Sequence, residues 1–179
     1  MIWQFLTRRL RISIRIDSVR LLVDERKTME CFYCKKTEKL YELMTPLAKL
    51  KWSDVYLFNN QKYKGRCVIT LKNHCDEIWE LAEEQRNGFF KEVSLVAKAV
   101  SKVTGANKIN YAVYGDIVSH FHVHIVPKKI DGYEWGGPFS DAEPDIRLSS
   151  DEFIDLKMAI LNQARDLILT KEYAGVIID

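Results

Sequence analysis

Residues 119–128 read SHFHVHIVPK, and three of the chain's four histidines stand there at alternate positions, His120, His122 and His124. Side chains alternate across an extended strand, so these imidazoles share one face, about 6.5–7 Å apart, while Phe121, Val123 and Ile125 share the other. The apolar face can pack on a helix and leave a row of rings on the opposite side. Solvent-facing polar residues need no such strict period. Two chemical readings remain open on the residues alone: a three-histidine metal site, or nucleophilic work on an anionic centre. A neutral imidazole is a good nucleophile near pH 7 when one ring nitrogen is unprotonated and the other is held as a donor.

Working outward, KINYAVYGD before this stretch reads as its antiparallel partner, with a turn near Gly115 and Asp116. Further upstream, Val55–Phe58 and Arg66–Leu71 read as two strands joined by a polar turn containing Asn59, Asn60 and Gly65. Residues 76–105 are helix-periodic, with Leu81, Phe89, Val93, Val96, Ala97 and Val100 near one face. Asn87-Gly88 marks an interruption there and Gly105 an end. Residues 131–145 form a loop rich in glycine and proline. The run SSDEFIDLKMAILNQARDLILT opens on a capping serine and carries Phe153, Leu156, Ile160 and Leu167 at helical intervals. Strands, helix, strands, helix, with neighbouring strands close enough to pair antiparallel, predict an α+β fold. An antiparallel sheet would pack against a long central helix and a C-terminal helix.

The chain has 179 residues, enough for one domain with a core that needs no disulfides. A formal charge of +2 gives no case for nucleic acid or an anionic membrane as partner. No apolar run approaches the roughly 20 residues of a membrane span, and a cytoplasmic location is expected. Residues 1–28 carry seven basic and three acidic residues and differ from the rest. Asp17, Asp24 and Glu25 count against a mitochondrial-type leader. The alternative is a translation start at Met29, which leaves 1–28 as an extra segment and 29–179 as the domain.

Cys31 and Cys34 stand in CFYC. Without an export signal, that spacing favours metal or redox chemistry over a structural disulfide. Cys67 falls in a strand and reads as core; Cys75 adjoins His74.

The HFHVHIVP run resembles the His-x-His-x-His signature of the histidine triad (HIT) superfamily of nucleotide hydrolases and transferases. GRCVITLKNH resembles that family's upstream strand ending in Lys-x-His, and Asn110 and Gly115 resemble the asparagine and glycine before the triad. The resemblance covers about residues 29–140 and implies a HIT-like fold and a homodimer acting on a small-molecule nucleotide. It implies His122 as a nucleophile forming a nucleotidyl-histidine, His124 as donor to a non-bridging phosphate oxygen, and Asn110 in similar work. By resemblance to bacterial zinc-containing members, the diadenosine tetraphosphate hydrolase-like group, Cys31, Cys34, His74 and His120 would hold a structural Zn2+. His120 would thereby fix the segment beside His122. Ribose contact is expected from Asn59 or Asn60, and Lys72 and Trp135 are further candidates near phosphate and base. One departure concerns Asp116, where many members have glutamine. A carboxylate facing phosphate is unfavourable unless turned away, protonated or paired. Hydrolase and nucleotidyltransferase share the first half-reaction, and a zinc-stabilised nucleotide-binding module is the alternative of another class.

Overall fold

The computed structural model describes residues 31–179. The segment 1–28, set apart above, lies outside the described residues. From Cys31 the chain forms two short helices, α1 (Phe32–Lys35) and α2 (Glu38–Leu43), then strands β1 (Met44–Lys49), β2 (Ser53–Phe58) and β3 (Cys67–Leu71). A 3-10 turn (Ile78–Glu80) leads into the long helix α3 (Glu83–Thr104). Strands β4 (Lys108–Ala112) and β5 (His122–Lys128) follow, then helix α4 (Ser150–Ile168) and a last 3-10 turn (Lys171–Tyr173).

The five strands make one sheet in the order β1-β2-β3-β5-β4, every pair antiparallel. The expected α+β class and HIT-like arrangement are therefore present. On one face Cys67, Ile69, Phe121, Val123 and Ile125 meet Phe89, Val93 and Val96 of α3, and Leu156, Ile160 and Ala164 of α4. Phe89 and Phe121 touch edge to face, their centroids 5.7 Å apart. Each such fully buried apolar side chain is worth about 1.5–3 kcal/mol. On the opposite face a smaller cluster of Cys31, Tyr33, Leu40, Met44, Tyr56 and Val68 seats α1 and α2 beside the histidines.

One expectation needs correction. Residues 76–105 are not one interrupted helix. Glu77 and Glu80 cap a separate 3-10 turn, Leu81 leaves helical geometry (ψ 140°), and α3 then runs unbroken through Asn87-Gly88. Gly88 is there for packing: a Cβ would lie 2.1 Å from Nε1 of Trp52. The end at Gly105 is as expected, with φ +63°. Strands β4 and β5 do pair antiparallel, and residues 113–121 join them through bends at Asp116 and Ile117 as expected. The edge strand β1 carries Pro46 at a register irregularity against β2. Proline in a strand argues for an edge or a bulge, and here it sits at both. Helix α4 opens on Ser149, which trades bonds with Glu152 in a capping box.

Candidate active site and metal centre

The strand register gathers the site. Thr70 of β3 lies opposite His122, Val68 opposite His124, and Ala112 of β4 also opposite His124. Directly paired residues share a face. His122 and His124 therefore project away from the helical core, their ring centroids 5.1 Å apart. His120 lies just before the ladder of β5, not within it as the sequence suggested. Its neighbour Phe121 is held by backbone bonds to Cys75 O (2.7 Å) and from Leu71 N (3.2 Å), so the segment stays extended. Tyr33 covers both rings, 5.3 Å from His120 and 5.2 Å from His122. That tyrosine stands between the two cysteines of CFYC.

The hydrogen-bond partners assign the tautomers. Nδ1 of His122 lies 2.6 Å from the carbonyl of His120. A carbonyl only accepts, so Nδ1 carries the proton and Nε2 of the neutral ring holds the lone pair. Nδ1 of His124 lies 3.1 Å from Nη2 of Arg66. A guanidinium only donates, so this ring carries its proton on Nε2. The two adjacent imidazoles thus have opposite tautomers, one with a free lone pair on Nε2 and the other with a proton there. Burial keeps all three rings neutral: it lowers His122, pulls His120 down to about 4, and with the Arg66 charge pulls His124 down to about 3.

Arg66 escaped notice in the sequence, where it read only as the first residue of a strand. It is 2% exposed, donates to Asp141, and lies over the Phe58 ring at 4.0 Å. The GR dipeptide at the start of β3 was the available signal, since an arginine opening a wholly buried strand needs a partner.

The second cluster is made by Cys31, Cys34, His74 and His120, whose ligand atoms all lie within 4.8 Å of one another. Cys31 Sγ and Cys34 Sγ are each 3.4 Å from Nδ1 of His120, and Cys34 Sγ is 3.4 Å from Nδ1 of His74. A tetrahedron with zinc–sulfur about 2.3 Å and zinc–nitrogen about 2.0 Å has a sulfur–nitrogen edge of about 3.5 Å. The far nitrogens are engaged as metal-bound imidazoles require: Nε2 of His120 donates to Leu71 O (2.8 Å) and Nε2 of His74 meets Asp76 (3.1 Å). The donor set fits a structural Zn2+. Cys67, wholly buried in β3, and Cys75, bonded to Glu77 O, stand outside it.

Asn59 and Asn60, the expected ribose contacts, already have partners of their own. Asn59 is used within the fold: its amide donates to Tyr41 O and Glu42 O and accepts from Thr45. Asn60 Oδ1 accepts from Lys62 N and Ile146 N. Asn110, on β4 opposite Val126, lines a cavity with Lys108, Lys128 and Trp135. Asp116 and Lys72 are exposed.

A family model described as HIT domain matches residues 50–131. Protein hit of Bacillus subtilis (strain 168) is 28% identical over 130 residues, covering 64% of this chain and 85% of that protein. Adenylylsulfatase HINT3 of Arabidopsis thaliana is 27% identical over 108 residues. That alignment covers 56% of this chain and 53% of the plant protein, about half its length. Among solved structures, a histidine triad protein from Bradyrhizobium japonicum superposes with a TM-score of 0.66 at 22% identity, covering 72% of this chain and 96% of that one. A zinc-bound histidine triad family protein from Mycobacterium smegmatis gives 0.54 at 18% identity, covering 78% and 96%. Fold, motif and family match agree on a HIT domain over residues 50–131, with the triad at His120, His122 and His124.

Proposed function

We propose that the protein is a nucleotide hydrolase of the HIT type, cleaving a phosphoanhydride or phosphoramidate bond at the α-phosphate through a nucleotidyl-histidine on His122. The opposite tautomers of His122 and His124 carry this reading. Nε2 of His122 attacks phosphorus, the bond to the leaving group breaks, and the leaving atom departs with the electron pair. The ring becomes a charged imidazolium, and the His120 carbonyl 2.6 Å from Nδ1 stabilises that charge. Nε2–H of His124 donates to a non-bridging oxygen, where negative charge gathers. Water then attacks phosphorus and the nitrogen–phosphorus bond breaks. The imidazole is restored neutral and the water proton passes to solvent.

The relative named adenylylsulfatase supports a nucleotide substrate. Phosphate or a sugar phosphate in place of water would make the same intermediate a nucleotidyltransferase. Zn2+ bound by Cys31, Cys34, His74 and His120 would play a structural part, clamping α1 to the segment that carries His122. The relative described as zinc-bound supports that assignment. Homodimerisation is supported by β4, an open sheet edge where Tyr111 and Val113 are 57% and 51% exposed. Light scattering giving a monomer at micromolar concentration would remove it. No helix of the described residues is long and apolar enough to cross a membrane.

The deciding experiment incubates the protein with diadenosine tetraphosphate, adenosine phosphoramidate and their guanosine counterparts, and follows intact mass during turnover. An adduct of one nucleotidyl group that disappears in His122→Ala supports the mechanism. Full turnover by His122→Ala ends it.

A further inference from the structure

Beyond the histidines, on the same face of the sheet, lies a cavity of about 320 Å³ lined by Lys108, Asn110, Lys128, Trp135, Gly136 and Gly137. Alternation along β5 puts Lys128 on the face of His122 and His124, and the pairings Lys108 with Lys128 and Asn110 with Val126 bring the β4 residues to that face. Lys128 is 2% exposed. Its ammonium has three donors, and it gives one to the Glu134 carbonyl at 2.6 Å. The Glu134 carboxylate is engaged elsewhere, by Lys62 at 2.7 Å, by the Tyr63 hydroxyl and by Ser140 at 3.1 Å. Among the described residues neither Lys108 nor Lys128 forms an ion pair. Lys62, Lys128 and Glu134 together keep one positive charge, and Lys108 adds another at the rim.

A buried cation without a paired anion is costly, and it selects an anionic occupant for the space beside it. The Asn110 amide adds a neutral polar group to the wall, and the Trp135 indole, 44% exposed, offers a flat apolar face. Gly136 leaves open space where a side chain would stand. Charge on one side and an aromatic surface on another fit a phosphate ester carried on an aromatic group.

We infer that this cavity is a second phosphate subsite, separate from the histidine row, that takes a nucleotide with its phosphate between Lys108 and Lys128 and its base on Trp135. The inference rests on the cavity and its lysines and does not require His122 to be a nucleophile. The nucleotide is either the far end of a two-ended substrate held at the triad or a free one.

The test follows the Trp135 indole resonance by NMR in the full chain, identified with Trp135→Phe, during titration with AMP, adenosine and inorganic phosphate. AMP should shift it saturably, and adenosine should do so far more weakly. Lys108→Ala, an exposed position, should weaken AMP about threefold to fivefold. Lys128→Met should weaken it at least about tenfold. A resonance unmoved by AMP up to about 10 mM overturns the site. So does one that shifts with the same affinity in Lys108→Ala, a variant that leaves the buried lysine and the fold in place. A methylene analogue of diadenosine tetraphosphate distinguishes the sources: displacement of AMP from Trp135 assigns the cavity to the far end of one substrate. AMP that still shifts Trp135 while the analogue occupies the triad assigns it to a free nucleotide.

Discussion

Nη2 of Arg66 lies 3.1 Å from Nδ1 of His124, and the same guanidinium binds Asp141. The fork thus holds one tautomer of His124 while its own charge is balanced. Its Nε–H is buried with no partner among the described residues. Lysine has no planar fork to hold both partners in this fixed geometry. Arg66→Lys should therefore lower kcat for nucleotide cleavage about 10²-fold, the scale of one lost oxyanion donor, with a smaller change in KM. The 15N shifts of the His124 ring should move from a single tautomer to a mixture. A single unchanged tautomer in a protein that has lost activity would mean that Arg66 acts otherwise.

Metal removal should separate stability from chemistry. On the proposed zinc site of Cys31, Cys34, His74 and His120, purified protein should contain close to one equivalent by elemental analysis. Stripping it, or replacing Cys34 with Ala, should cost about 3 kcal/mol and lower Tm by about 6–12 °C. The fraction still folded should keep forming the covalent intermediate. Less than about a tenth of an equivalent, with Tm unaffected by chelator, would contradict the assignment.

Glu92 of α3 is 1% exposed and accepts from Trp52 N at 3.0 Å and Ser53 Oγ at 2.7 Å. It fastens the β1–β2 turn to the central helix. Glu92→Ala strands two buried donors and should cost about 2–4 kcal/mol in urea unfolding. Glu92→Gln keeps one acceptor and should cost less.

Gly88→Ala sets two effects against each other. Alanine gains about 1 kcal/mol in helix propensity over glycine. Its Cβ would sit 2.1 Å from Trp52 Nε1, however, and the indole would have to leave its seat. Overpacking of this kind costs about 1–3 kcal/mol, so net destabilisation is expected. A raised Tm would show that Trp52 relocates freely.

Acid should destabilise the fold through His124. Its ordinary value is 6.5, and burial together with Arg66 pulls it down to about 3. Between these values the unfolded chain binds a proton that the folded chain refuses. The penalty is absent above about pH 6.5 and grows by up to about 1.4 kcal/mol per pH unit on acidification. The comparison is of unfolding free energy against pH for wild type and His124→Asn. The variant should lose less stability between about pH 6 and pH 4, and parallel curves would sink the claim.

Much of this molecule could be read along the chain because local rules act along it. The alternation from His120 to Ile125 separated core from site, Gly105 ended α3, and Ser149 opened α4. Cys31 and Cys34, three residues apart, already pointed to metal or redox chemistry. The resemblance supplied His74 and His120, and these meet the cysteines only because β3 and β5 are neighbours in the sheet.

What the chain could not disclose lies across the sheet or between layers. Arg66 acquires its role because strand register and the 139–141 loop carry the guanidinium to His124 and Asp141, 58 and 75 residues away. Asn59 turns inward to the α2 carbonyls, while Asn110 falls in with Lys108 and Lys128. Periodicity assigns a side chain to a face. Which groups share that face, and which ring nitrogen therefore keeps its proton, depends on pairing between distant strands.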